Sequence, residues 1–203
     1  MRTSVRVCVV AEDETDCDAL RTLIKRMAND VGAPPVGVER YWGKGCSKLK
    51  RKARSILRQM FDRGCTAAIV VHDLDRDPAN GMLNDERRLR AELELIECPP
   101  SLKRHICIPV EELEAWFWSD QAILDEVAGV KGKAKAAAQP ELVRQPKEQL
   151  IRLSRDGGKK PRYSTNENVN LATSLNLNVC AGRCRSFREF YDFIRAVVAP
   201  GTS

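Results

Sequence analysis

Acidic side chains in this chain come in groups, and three groups have a spacing that suits cation chemistry. Glu12 and Asp13 follow the apolar run Val5–Ala11; Asp73, Asp75 and Asp77 follow Thr66–His72; Glu111, Glu112 and Glu114 follow His105–Ile108 and Pro109. Three aspartates directly after an apolar segment repel one another and resist ionisation unless something positive sits among them. Oxygen donors with no matching histidine cluster select a hard divalent ion, Mg²⁺ or Mn²⁺. Arg76, inside the aspartate run, is the competing source of positive charge. Glu12–Asp18 and Glu111–Glu112 also have a plainer reading, as negative charge at a helix N-terminus. On helical geometry Glu111 and Glu114 share a face while Glu112 points about 100° away.

The elements that must position these groups follow from the apolar pattern. Val5–Ala11 is short and rich in β-branched residues and reads as a strand. Ala19, Leu20, Leu23, Ile24 and Met27 then predict a helix over about 15–29, broken by Gly32–Pro35. Val36–Tyr41 is a weaker strand. Ser47 suits the cap of a helix carrying Leu49, Ala53, Ile56, Leu57 and Met60 on one face. Thr66–His72 is a buried-type strand, 84–94 a helix and His105–Ile108 a further strand. Pro109 opens a helix with Val110, Leu113, Phe117, Leu124 and Val127 inward. The alternation predicts an α/β fold, a parallel sheet of about four strands flanked by helices. Sites in such sheets form outside the carboxyl ends of the strands, the address of all three acidic groups. Residues 1–127 read as this domain. Residues 128–203, with helices at 141–154 (limited by Pro146) and 186–198, read as a basic helical C-terminal appendage packed on it.

Charge follows the same division. The 203 residues carry a net +6, but 131–203 hold 14 basic against 6 acidic side chains, and 41–60 hold seven basic and none acidic. A protein that binds a metal with carboxylates and a polyanion with lysines has this distribution. Lys44, Lys48, Lys50, Arg51, Lys52, Arg54 and Arg58 form the first basic stretch, with Tyr41 and Trp42 placed to stack on bases. Lys131, Lys133 and Lys135 alternate with Gly and Ala and read as a mobile basic loop suited to phosphates; Lys159-Lys160-Pro161-Arg162 is another. Solvated surface is the competing reading for each. No run approaches the ~20 apolar residues of a membrane span. The first apolar run is short, contains Arg6 and ends in acids, unlike a secretion leader. The expected compartment is therefore the cytoplasm, with the eight cysteines as free, mostly buried thiols. No Walker A, GxGxxG or Ser-His-Asp pattern is present, so ATP use by this chain is not expected.

The residues resemble a known superfamily. Val9-Val10-Ala11-Glu12-Asp13-Glu14-Thr15-Asp16 is similar to the first Toprim (topoisomerase–primase) motif, and Val70-Val71-His72-Asp73-Leu74-Asp75 to its Asp-x-Asp motif. Val110-Glu111-Glu112-Leu113-Glu114-Ala115-Trp116 resembles the Glu-Ala-Trp signature of a bacterial Toprim-like family of unassigned function related to the OLD nucleases. Cys184-Arg185-Ser186-Phe187-Arg188-Glu189-Phe190 resembles that family's C-terminal Ser-Phe-Arg element. The resemblance implies a Toprim-like fold, Glu12 as general acid/base, and Asp73 and Asp75 as ligands of Mg²⁺ or Mn²⁺. Glu114 or Glu112 would support a second ion, and Asp77 completes the set of candidate ligands. It implies a nuclease, since no topoisomerase tyrosine and no primase zinc motif can be argued. DNA or RNA would be the substrate, Lys44, Lys48, Lys52, Arg54, Lys131 and Lys133 the candidate contacts, and a partner ATPase or a homo-oligomer the assembly. Defence against phage or mobile elements is the implied setting. Asp13 departs from the Toprim pattern, which has glycine there, and its side chain is expected to crowd or overcharge the site. The alternative is a non-catalytic module that binds nucleic acid or a partner, its carboxylates neutralised by Arg76.

Overall fold

The computed structural model describes residues 5–43, 46–157 and 160–199. Four strands, β1 (Arg6–Ala11), β2 (Gly37–Trp42), β3 (Ala67–Val71) and β4 (Lys103–Cys107), form one all-parallel sheet in the order β2-β1-β3-β4. Register pairs Val10 with Tyr41 on one side and with Val70 on the other, and Val70 with Ile106. The chain leaves β1 toward β2 and returns past it to β3, so the crevice at the carboxyl ends of β1 and β3 is the topological switch point.

Alternation of side chains across the strands fills both faces. Val7, Val9, Ala11, Ile69, Val71 and Cys107 face helix α1 (Glu14–Asp30), which buries Leu20, Leu23, Ile24 and Met27 against them. Cys8, Val10, Ala68, Val70 and Ile106 face α2 (Cys46–Asp62) and α3 (Glu86–Glu94) through Leu49, Ile56, Leu57, Met60, Leu89 and Leu93. These are the apolar positions whose spacing predicted the helices. Helix α2 begins at Cys46, so Ser47 lies inside its first turn rather than at its cap.

One departure from the sequence reading matters. The single helix expected after Pro109 is three pieces: Val110 bridges Leu74 beside the sheet, 113–119 form a 3₁₀ segment, and α4 spans Gln121–Ala128. Glu111 adopts φ 61, which no helix accommodates, and Asp120 is extended and caps α4 by accepting from Ala122 N at 2.9 Å. Beyond α4, α5 (Pro146–Leu153), α6 (Asn168–Ser174), α7 (Leu177–Arg183) and α8 (Arg185–Val198) complete the chain. Leu171, Ala172, Leu177, Phe187, Phe190 and Ile194 lie in the same hydrophobic core as α1 and its sheet face. Trp116 joins them: it stacks on Phe190 at 5.9 Å, meets Phe187 edge-on at 5.0 Å and donates to Ser186 Oγ at 2.9 Å. The Glu114-Ala115-Trp116 segment is thereby anchored to the C-terminal helix.

Candidate functional site

The first acidic group leaves β1 as Glu12 and enters α1 through Asp13. Asp13 is extended (φ −129) and exposed, and its carboxylate accepts from Asp16 N at 3.0 Å and from Thr15 Oγ1 at 2.8 Å. It is a helix cap. The Asp13 side chain turns back onto its own helix, and its charge still bears on the neighbouring Asp16. Capping also fixes Asp16 in the first turn, on the stripe that continues through Leu20, Leu23 and Met27.

Asp16 and Asp73 feel each other's charge at the switch point. Burial, then Asp13, Glu114 and Glu12, hold the Asp16 carboxyl well above its ordinary pKa. Burial, then Asp16, Glu12, Glu114 and Asp75, do the same to Asp73. Asp75 is raised by burial and by Glu12. Glu114 is 4% exposed and raised by burial, although Asn168 Nδ2 donates to its Oε1 at 3.0 Å and Tyr163 OH lies 3.3 Å away. Five acids from β1, α1, β3 and the 3₁₀ segment thus form one electrostatic cluster. Among the described residues, no three His, Cys, Asp or Glu side chains make a ready ligand shell for a metal ion as placed.

The remaining sequence candidates are engaged elsewhere. Arg76 does not plug the aspartates: it donates to Glu111 Oε1 at 2.6 Å and to Gly81 O at 2.9 Å. Glu111, 7% exposed, accepts also from Gln145 N at 2.7 Å, so the strained φ 61 is accompanied by two part-buried contacts. Glu112 accepts from Lys147 Nζ and from Lys147 N at 3.2 Å. Burial opposes the charge on Lys147, but Glu112, with Glu114 and Glu148, outweighs it and raises the Lys147 pKa. Asp77 accepts from Ala79 N at 2.8 Å and Asn80 Nδ2 at 3.1 Å, which makes it a turn residue. Of the three glutamates Glu114 is therefore the one in the cluster, and the shared helical face of Glu111 and Glu114 does not exist.

A cleft of about 280 Å³ opens beside the aspartates, lined by Lys50, His72, Asp73, Asp75, Arg88 and Glu92. Helix α2 starts at the carboxyl edge of the sheet, so Lys48 and Lys52, both exposed, lie near this edge. Lys50 pairs with Glu92 at 2.9 Å across the cleft. Arg54 pairs with Glu97 at 2.5 Å and, with Arg58, lines a separate cleft of about 390 Å³. Lys44 lies outside the described residues. Lys131 is exposed, whereas Lys133 Nζ donates to Leu153 O at 2.9 Å and Arg155 O at 2.8 Å, closing the C-terminus of α5. In the 131–138 loop Gly132 N donates to Asp125 and Ala137 N to Trp118 O, at 2.8 Å each. Lys133 is separated from Lys147, at the other end of α5, by roughly 10 Å of helix.

Sequence reasoning missed Asp16 as a site candidate and did not single out Lys50 within the basic stretch. Asp16 is legible as the polar end of the buried stripe of α1, and Lys50 as the member of the basic stretch nearest the packed Leu49 face. Among known proteins, no curated protein and no solved structure matches this chain. A family model described as "Domain of unknown function (DUF4276)" matches residues 11–195. That span runs from the last residue of β1, one before Glu12, into α8, and so takes in the whole carboxylate cluster; the chain belongs to the DUF4276 family.

Proposed function

We propose that this chain is a Mg²⁺- or Mn²⁺-dependent enzyme that cuts phosphodiester bonds in DNA or RNA. The carrying observation is the gathering of Glu12, Asp16, Asp73, Asp75 and Glu114 at the switch point, where Asp16, Asp73, Asp75 and Glu114 are all raised above the ordinary carboxyl pKa. Such a donor set fits a hard divalent cation. Asp73 and Asp16 would hold the ion, with Asp75 at the cleft side and Glu114 kept in place by Asn168 and Tyr163. A bound ion would stabilise the charge that develops on the attacking and leaving oxygens at phosphorus. Glu12 moves the proton, and the exposed Lys48 and Lys52 supply positive charge near the sheet edge, while Lys50 is paired with Glu92. Free thiols among the described cysteines fit the cytoplasm; no described helix is long and apolar enough to cross a membrane. A partner ATPase or a homo-oligomer belongs to the same reading.

A second reading has one observation in its favour: the lack, among the described residues, of a preformed ligand shell. On that reading the chain is a non-catalytic module that binds nucleic acid or a partner. Thermal melting separates the two at the first step. Mn²⁺ should raise the melting temperature of the wild type by mass action, and Asp73→Asn with Asp75→Asn should abolish the increment while the metal-free protein stays folded. Equal increments in both proteins would remove these aspartates from any metal site.

A further inference from the structure

We propose that Asn168 is a positioning residue that orients Glu114 so that its Oε2 is the oxygen offered to a bound cation. The inference rests on the reading above only for the presence of that cation. Glu111, Glu112 and Glu114 are close in the chain but differ in what holds them. Glu111 pairs with the Arg76 guanidinium and Glu112 with the Lys147 ammonium, whereas Glu114 takes neutral partners, the Asn168 amide and the Tyr163 hydroxyl. A cationic partner competes with a metal ion for a carboxylate. Neutral donors fix its direction and leave its charge for the ion, as the hydrogen-bonded partners of ligating carboxylates do. The three groups are enclosed, with Asn168 0%, Tyr163 3% and Glu114 4% exposed. Tyr163 has one O–H, and it lies 2.6 Å from Asn168 Oδ1, a carbonyl oxygen that only accepts. The tyrosine therefore donates there, which turns the other end of the amide to Glu114: Nδ2 donates to Oε1 at 3.0 Å. The 3.3 Å approach of Tyr163 OH falls on the same Oε1. The pair thus holds one oxygen of the carboxylate and leaves Oε2 for the ion. Asn168 is itself fixed to the element that carries Asp16. It opens α6, its backbone N donates to Thr165 O, and α6 packs along α1. Arg26 of α1 donates to Ala172 O and Leu175 O, at 2.7 Å each, and sets the register of the two helices. One residue of the C-terminal part thereby ties Glu114 to the helix whose first turn holds Asp16.

The test is the Mn²⁺ affinity of the full chain, read from the dependence of melting temperature on Mn²⁺ concentration. Asn168→Asp keeps the size and the acceptor for Tyr163 but removes the donor to Glu114, and should lose roughly 10–100-fold in affinity. Tyr163→Phe keeps the ring but unlocks the amide, and should lose about fivefold; it carries the test alone if Asn168→Asp does not fold. On a Glu114→Gln background both substitutions should cost no further affinity, because they act through a carboxylate that is gone. A merely structural contact would lower the melting temperature and leave affinity alone, or lower affinity by the same factor on either background; each result overturns the proposal. NMR of the metal-free chain gives a readout independent of the ion: the side-chain amide resonances of Asn168 should move on Glu114→Gln, and no movement overturns the contact. A wild type that ignores Mn²⁺ overturns the metal reading and the role of Asn168 in it. A wild type that binds Mn²⁺, with both variants unchanged, overturns the role of Asn168 alone.

Discussion

Asp73 faces four other carboxylates, and Lys147, the cation that relieves Asp16, Asp75 and Glu114, is itself tied to Glu112. The folded chain therefore holds protons on Asp73 and Asp16 more tightly than the unfolded chain does. The sign of the linkage follows: these groups cost no stability below the ordinary carboxylate range, about pH 4, and cost progressively more as pH rises through their raised folded values. Metal-free Asp73→Asn should accordingly melt above wild type at pH 7, by about 2–4 °C for each kcal/mol of repulsion removed, and the two curves should converge toward pH 4. A variant less stable than wild type across this range would mean that Asp73 is compensated in the fold. Asp16 was hidden in the sequence by its neighbours: in a run of five acids from Glu12 to Asp18, a helix N-terminus explains every one. Only the cap made by Asp13 decides which of them turns inward.

Helix α2 shows how far pattern reading reaches. Its buried stripe was legible because five apolar residues recur at helical spacing, and the strands were legible because β-branched runs end at acids. The opposite face of α2 was read as one basic stretch, yet its members part company. Lys48 and Lys52 are exposed near the site edge, while Arg54 is engaged by Glu97. Replacing Lys48 and Lys52 by Ala should flatten the slope of log affinity against log salt for duplex DNA by about 2, near one unit per lost phosphate contact. Lys133→Ala should leave that slope unchanged and lower the melting temperature, because its ammonium closes two carbonyls at the end of α5; an equal slope change in both variants would reassign the loop to the nucleic-acid interface. The seven-residue α6 and α7 escaped the sequence reading because two turns carry too little periodicity to register. The Asn176 cap, accepting from Val179 N at 3.1 Å, was the local signal for α7. The helix expected from Pro109 failed for a different reason: Glu111 is held in a left-handed conformation by Arg76 and Gln145, and such tertiary pairing leaves no local trace.

Taken whole, the molecule is a parallel sheet whose strand order makes one crevice, with its C-terminal helices built into the core behind it. The C-terminal part reaches the cluster directly: Tyr163 OH, from the segment between α5 and α6, and Asn168 Nδ2, from α6, both approach Glu114, and Tyr163 OH lies 2.6 Å from Asn168 Oδ1. Carboxylates distant in sequence converge because β1 and β3 are neighbours, which the α/β alternation predicts only as a class of topology and not as a pairing. The central claim is that this convergence supports metal-dependent cleavage. It is tested most directly by incubating wild type, Glu12→Gln and Asp73→Asn with Mn²⁺ and single- and double-stranded DNA and RNA. Cleavage by the wild type is predicted on at least one of the four, with a loss of roughly 10²–10⁴ in rate for Glu12→Gln, comparable loss for Asp73→Asn, and retained polyanion binding in both. A wild type inert on all four, or a Glu12→Gln variant that cuts as fast as wild type, would contradict it.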